Sequence, residues 1–91
     1  MTGVALIRTP RHGDARGWFS ETWSQSRFEA LGLPTFVQDN HSYSARAGTL
    51  RGIHFHAPPF AQAKLVRCVR GEIMDYVFDL RVGSPTYGQH L

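Results

Sequence analysis

The sequence predicts an all-β fold, a sandwich or barrel, on three observations. From Thr35 onward, short apolar or alternating runs follow one another. Glycine and proline interrupt them at Gly48, Pro58-Pro59, Gly71, Gly83 and Pro85. Only one stretch has helical character, which excludes alternating βαβ units and leaves a layered antiparallel architecture.

The elements follow in order. Val4-Ala5-Leu6-Ile7 reads as an N-terminal strand closed by Pro10, and His12 to Gly17 ("HGDARG") as turn chemistry. "WFSETW" alternates, with Trp18, Ser20 and Thr22 on one side and Phe19, Glu21 and Trp23 on the other. Ser24 to Leu31 is the helical stretch: Ser24 or Ser26 caps it, Phe28 and Leu31 share a face, and Gly32 followed by Pro34 stops it. "TFVQDNHSYS" then leads through a Gly48 turn into "TLRGIHFH". Beyond the Ala57-Pro58-Pro59 corner, "KLVRCVR" ends at Gly71 and "EIMDYVFDLR" at Val82-Gly83. "TYGQHL" reads as the start of a further strand, so the expected sheet has an open edge. We expect a partner to close it or the sequence to be part of a longer one.

Composition bounds the function. The 91 residues fit one domain, with 42% hydrophobic, 19% charged and 12% aromatic residues. No apolar run approaches the roughly 18 residues of a membrane span, so no membrane partner is expected, and the N-terminus is too short in apolar residues for a signal peptide. The net charge is +3, and nine of the ten basic residues are arginines spread along the chain. With no basic stripe, a nucleic-acid partner is not expected; arginine's fork suits a small phosphorylated ligand. A single cysteine, Cys68, excludes an intrachain disulfide; it reads as a buried thiol in a cytoplasmic protein.

The chemistry centres on Leu50-Arg51-Gly52-Ile53-His54-Phe55-His56. On a strand His54 and His56 face one side, as two metal ligands would. Yet no acidic residue occurs between Asp39 and Glu72, and two ligands alone do not make a persuasive metal site. The other reading is a histidine base near neutral pH with cations around an anionic substrate. Arg51 lies three residues before His54, and Lys64 across the Pro58-Pro59 corner would be folded back towards it, where its ammonium would stabilise an enolate oxygen. Asp75 and Asp79 would need partners if inward-facing; Asp75 suits orienting a histidine and Asp79 pairing with Arg81. Arg16, Phe19 and Glu21 flank a glycine turn, and Gln38-Asp39-Asn40 ends an apolar run. Such groups contact base edges, sugar hydroxyls and ring faces. Both readings of the histidine pair stay open on these residues alone.

"ARGWFSETW", "FVQDNHSYS", "LRGIHFH", "AKLVRCVRGEI" and "DLRVGSPTYGQ" resemble successive motifs of the dTDP-4-dehydrorhamnose 3,5-epimerase family, from about Leu6 to Gln89. The resemblance implies a cupin-type jelly-roll β-barrel, here incomplete, with residues 1–91 as the N-terminal part of a single domain. It implies epimerisation at C3, C5 or both of a dTDP-4-keto-6-deoxyhexose. His54 would be the base beside the 4-keto group, Lys64 the enolate stabiliser, and Asp75 part of the supporting polar network. Arg51 would meet the diphosphate; Arg16, Glu21, Gln38, Asp39 and Asn40 would contact the nucleotide-sugar, and Phe19 would lie against the nucleotide. Homodimers with exchanged N-terminal strands are implied as well. No cofactor is expected, because the substrate's keto group is the electron sink.

The family's tyrosine proton donor, a second histidine and the aspartate paired with the base belong to its second half, and its members are about twice this length. His56 stands where glutamine is usual, and Ala63 where glycine often precedes the lysine. The resemblance thus leaves a second expectation: a nucleotide-sugar-binding module without turnover. A metal-dependent cupin is a third, resting on His54 and His56 alone.

Overall fold

The computed structural model describes residues 1–91. Its regular elements are β1 (His12–Asp14), β2 (Gly17–Phe19) and α1 (Gln25–Ala30). The chain divides into two compact units, one of Arg11–Leu65 and the other of Met1–Pro10 with Val66–Leu91.

In the Arg11–Leu65 unit, β1 and β2 form an antiparallel hairpin with His12 opposite Phe19 and Asp14 opposite Gly17. A two-residue loop, Ala15-Arg16, joins them. The Asp14 carboxylate accepts the Arg16 backbone N–H at 2.8 Å, a local bond that bends the chain. Of His12–Gly17, expected as turn, only Ala15-Arg16 are the loop: His12–Asp14 form β1 and Gly17 opens β2.

Helix α1 begins after Ser24, whose backbone is extended (φ −151°, ψ 128°) and whose carbonyl accepts the Phe28 N–H at 3.0 Å. The Ser24 hydroxyl makes no capping bond and lies 3.2 Å from that of Ser26. The C-terminus is a Schellman closure: Leu33 N–H reaches Phe28 O (3.0 Å) and Gly32 N–H reaches Glu29 O (2.9 Å). That geometry places Gly32 at φ +75°, which costs a side-chain-bearing residue about 1–2 kcal/mol. Gln25 donates to Glu29 one turn on (2.8 Å). A six-residue helix needs tertiary packing, and Phe28 supplies it. It is the buried hydrophobic side chain, 5% exposed, with the rings of Trp23 and Phe36 edge-on at centroid distances of 6.4 and 6.5 Å.

The other unit is organised by polar groups. Phe78 and His90 pair antiparallel, and Val77 and Leu91 exchange both backbone hydrogen bonds (3.2 and 3.0 Å). Between them, turns close at Ser84 N–H to Arg81 O, Tyr87 N–H to Ser84 O and Gln89 N–H to Thr86 O. Asp79, 3% exposed, fills the inside of this loop. Its carboxylate accepts Arg81 Nε (2.8 Å) and Nη2 (2.7 Å), both the Ser84 and Thr86 hydroxyls (2.6 Å each), and the Arg81 backbone N–H (3.1 Å). The Arg81 guanidinium foremost, then the two hydroxyls, holds the Asp79 carboxyl far below the usual carboxylate range. The expected Asp79–Arg81 pairing is borne out.

Strand pairing within these residues is confined to the β1–β2 hairpin and the Phe78–His90 bridge, so the expected incomplete barrel is represented only by these local pairings. Val4–Ile7 and the runs through 35–44, 49–56 and 64–70 lie outside any ladder, and of 72–81 only Phe78 enters a bridge. The physical reason is that strand propensity marks a residue's fit to a half-buried pleated surface but supplies no partner. Leu50, Val37 and Val82 stand more than 90% exposed. Cys68, expected to be buried, is also exposed, with its thiol 3.3 Å from Arg70 O. No helix is long and apolar enough to cross a membrane.

Candidate functional site

Three local arrangements carry the residues singled out by the sequence. The first is the β1–β2 hairpin, which borders a shallow concavity lined by His12, Asp14, Arg16, Gly17, Trp18 and Phe19. Arg16 and Phe19 are both among its lining residues, with Phe19 72% exposed and opposite His12 in register. His12 and Asp14 were missed in the sequence; the signal was the hairpin itself, masked by reading its first strand as turn. Arg11 lies 4.1 Å over the Trp18 ring, a cation–π contact on an exposed indole. The Arg16 guanidinium is committed to Asp14, through Nε at 3.2–3.3 Å and Nη2 at 2.6 Å. This pairing lowers the Asp14 carboxyl from its ordinary value and raises Arg16.

The second arrangement spans the Ala47-Gly48 turn. Arg51 donates from Nε to the Ser44 hydroxyl (2.9 Å) and from Nη2 to the Tyr43 carbonyl (2.7 Å). The Thr49 hydroxyl closes the turn onto Arg46 O at 2.8 Å. Arg51 therefore differs from Arg16 in kind. Its partners are neutral, so its positive charge is uncompensated by a bonded carboxylate. Ser44 was not singled out in the sequence, although it and Arg51 sit symmetrically about Ala47-Gly48, and that symmetry was a usable signal.

The third is the run Gly52-Ile53-His54. Gly52 has φ +122°, a conformation that side-chain-bearing residues rarely adopt. A β-carbon there would meet the His54 N and Nδ1 only at 3.6 and 4.0 Å, so the demand for glycine is conformational rather than steric. His54, His56 and Lys64 are exposed side chains of this unit, and Asp75 is an exposed side chain of the other. None of the four takes part in the ion pairs, which are Arg16–Asp14, Arg27–Glu21 and Arg81–Asp79. Glu21 is thus held by Arg27 at 3.3 Å. Gln38 donates to Asn40 at 3.3 Å, while Asp39 between them is exposed. No group of three or more His, Cys, Asp or Glu side chains is placed to hold a metal ion.

Comparison with known proteins adds what these arrangements leave open. The family model described as dTDP-4-dehydrorhamnose 3,5-epimerase matches residues 1–91. A dTDP-4-dehydrorhamnose 3,5-epimerase of Sinorhizobium fredii is 53% identical over 90 residues, covering 94% of this chain and 45% of the relative. One from Pseudomonas aeruginosa is 57% identical over 88 residues, covering 94% and 48%. A dTDP-4-dehydrorhamnose 3-epimerase of Streptomyces niveus is 51% identical over 90 residues, covering 97% and 43%. No solved structure matches. The chain spans about half the length of the curated relatives it matches. The chain belongs to the dTDP-4-dehydrorhamnose 3,5-epimerase family.

Proposed function

We propose that this chain carries the base-bearing half of an epimerase site acting at C3, C5 or both of a dTDP-4-keto-6-deoxyhexose. The observation that carries the reading is the family match along residues 1–91, which includes the Arg51-Gly52-Ile53-His54 and Lys64-Leu65-Val66-Arg67 blocks. In this reading a His54 imidazole nitrogen takes the proton α to the 4-keto group. The C–H electron pair becomes the enolate double bond, and the negative charge moves to the carbonyl oxygen. Lys64 donates to that oxygen, and Asp75 belongs to the polar network that supports the centre. Reprotonation on the opposite face, by the tyrosine donor that the resemblance assigns to the family's second half, completes the inversion. Arg51, whose charge is not neutralised by a bonded carboxylate, meets the diphosphate. Phe19, Arg16, Glu21 and Gln38-Asp39-Asn40 take the nucleotide-sugar, and a homodimer in the cytoplasm is the expected assembly.

The test is solvent-deuterium incorporation at C3 and C5 of the dTDP-4-keto-sugar, followed by mass spectrometry. Proton abstraction registers there whichever face is reprotonated. His54→Ala should lower exchange by about 10²–10⁴-fold, the usual contribution of a positioned base. Exchange at the wild-type rate in that variant refutes the assignment.

A second reading, nucleotide-sugar binding without turnover, is favoured by one contrast. Arg51, itself exposed, is held by two side-chain hydrogen bonds, whereas the side chains of His54 and Lys64 take part in no hydrogen bond or ion pair. Saturable dTDP binding with no deuterium incorporation selects it.

A further inference from the structure

We propose that Ser44 is a positioning residue, which holds the Arg51 guanidinium across the Ala47-Gly48 turn with one edge turned out for the diphosphate. The inference rests on the reading above, in which Arg51 meets that group. A guanidinium presents five N–H donors in a rigid plane. Its Nε/Nη2 edge is spent on the Ser44 hydroxyl and the Tyr43 carbonyl, at 2.9 and 2.7 Å. The opposite Nη1/Nη2 edge has the spacing that takes two oxygens of a phosphate.

Arginines that bond through the same edge elsewhere show what is particular here. Arg16 and Arg81 spend the same Nε/Nη2 edge, but on the carboxylates of Asp14 and Asp79 two residues away. Those pairs are locally neutral. Arg51 is fixed by a hydroxyl and a carbonyl seven and eight residues away, so it is oriented without being neutralised. Orientation of a long side chain before the ligand arrives lowers the entropy lost on binding. Of the two anchors, the Tyr43 carbonyl belongs to the backbone and survives any substitution. The Ser44 hydroxyl is the one a mutation removes.

The experiment titrates the 91-residue chain with dTDP and, separately, with thymidine, by calorimetry. Ser44→Ala should weaken dTDP about threefold to tenfold, the range expected for one net hydrogen bond. Ser44→Thr, which restores the hydroxyl, should bind within about twofold of wild type, and thymidine affinity should not change with any variant. Selective loss of dTDP affinity in Ser44→Ala, with rescue by threonine and an unchanged thermal midpoint, supports the assignment. Wild-type dTDP affinity in Ser44→Ala, alongside a loss in Arg51→Ala, overturns the role of Ser44 and leaves the epimerase reading standing. Equal weakening of both ligands, or failure of threonine to rescue, makes Ser44 merely structural and overturns the proposal. Absence of dTDP binding by the wild-type chain removes the diphosphate reading, and this inference with it.

Discussion

Replacing Phe28 by alanine removes the ring on which the Arg11–Leu65 unit packs. A Phe-to-Ala change in a well-packed core costs about 3–5 kcal/mol, combining lost transfer energy with the cavity left behind. Two features of this site set the value within that range. The edge-on contacts with Trp23 and Phe36 add to the loss, each about 0.5–1.5 kcal/mol beyond area. Trp23 is 44% exposed and free to settle into the space, which reduces the cavity contribution. We therefore expect about 3 kcal/mol, comparable with the whole stability of so small a unit. Phe28→Leu, which retains most of the volume, should cost about 1 kcal/mol. Urea titration followed by tryptophan fluorescence in a Trp18→Phe background makes Trp23 the sole reporter. Its emission should already be red-shifted in Phe28→Ala without urea. A midpoint and emission maximum equal to those of the parent would refute the claim that this ring cluster holds the helix in place.

Two further outcomes follow from the same physics. Gly32→Ala should destabilise by about 1–2 kcal/mol, because the Schellman closure fixes a positive φ while the space around the position is open; circular dichroism during denaturation checks it, and Gly32→Asn should recover part of the loss. The second concerns pH. Asp79 is depressed in the folded state, so its contribution is fully present above the ordinary carboxylate value of about 3.9. It is lost progressively as pH falls below that value towards the folded pKa. Amide exchange at Gly88, whose N–H is bonded to Asp79 O at 2.8 Å, should stay protected at pH 5 and lose protection progressively below about pH 4, whereas Asp79→Asn, with no carboxylate to titrate, should be less protected already at pH 5 and lack this acid dependence.

What could be read in advance was what neighbouring residues settle among themselves. The helix was expected over 24–31 and is found at Gln25–Ala30; its end was legible because Gly32 acts within a few positions, whereas the expected serine cap is not made. The Gly48 turn and the Asp79–Arg81 pair are likewise local. The ladder pairing was not legible, since alternation in 35–44 or 64–70 states which residues share a face but not which strand they meet. Cys68 shows the same limit: an apolar-alternating run suggested burial, and without a covering layer the thiol is exposed. In the candidate site, Arg51 was recognisable by type and position. Its anchor, Ser44, is visible only once the turn has folded the two together.

The Asp79 cluster bears on the order in which the chain folds. All its side-chain partners lie within seven residues along the chain, and the loop closes on Gly88 nine residues away. Closing a loop of that length takes on the order of 10–100 ns, whereas sheet pairings between distant segments govern the slow folding of β proteins. The loop of residues 79–88 is thus short enough to close before any long-range strand has found its neighbour, and the Val77–Leu91 pairing lies immediately outside it.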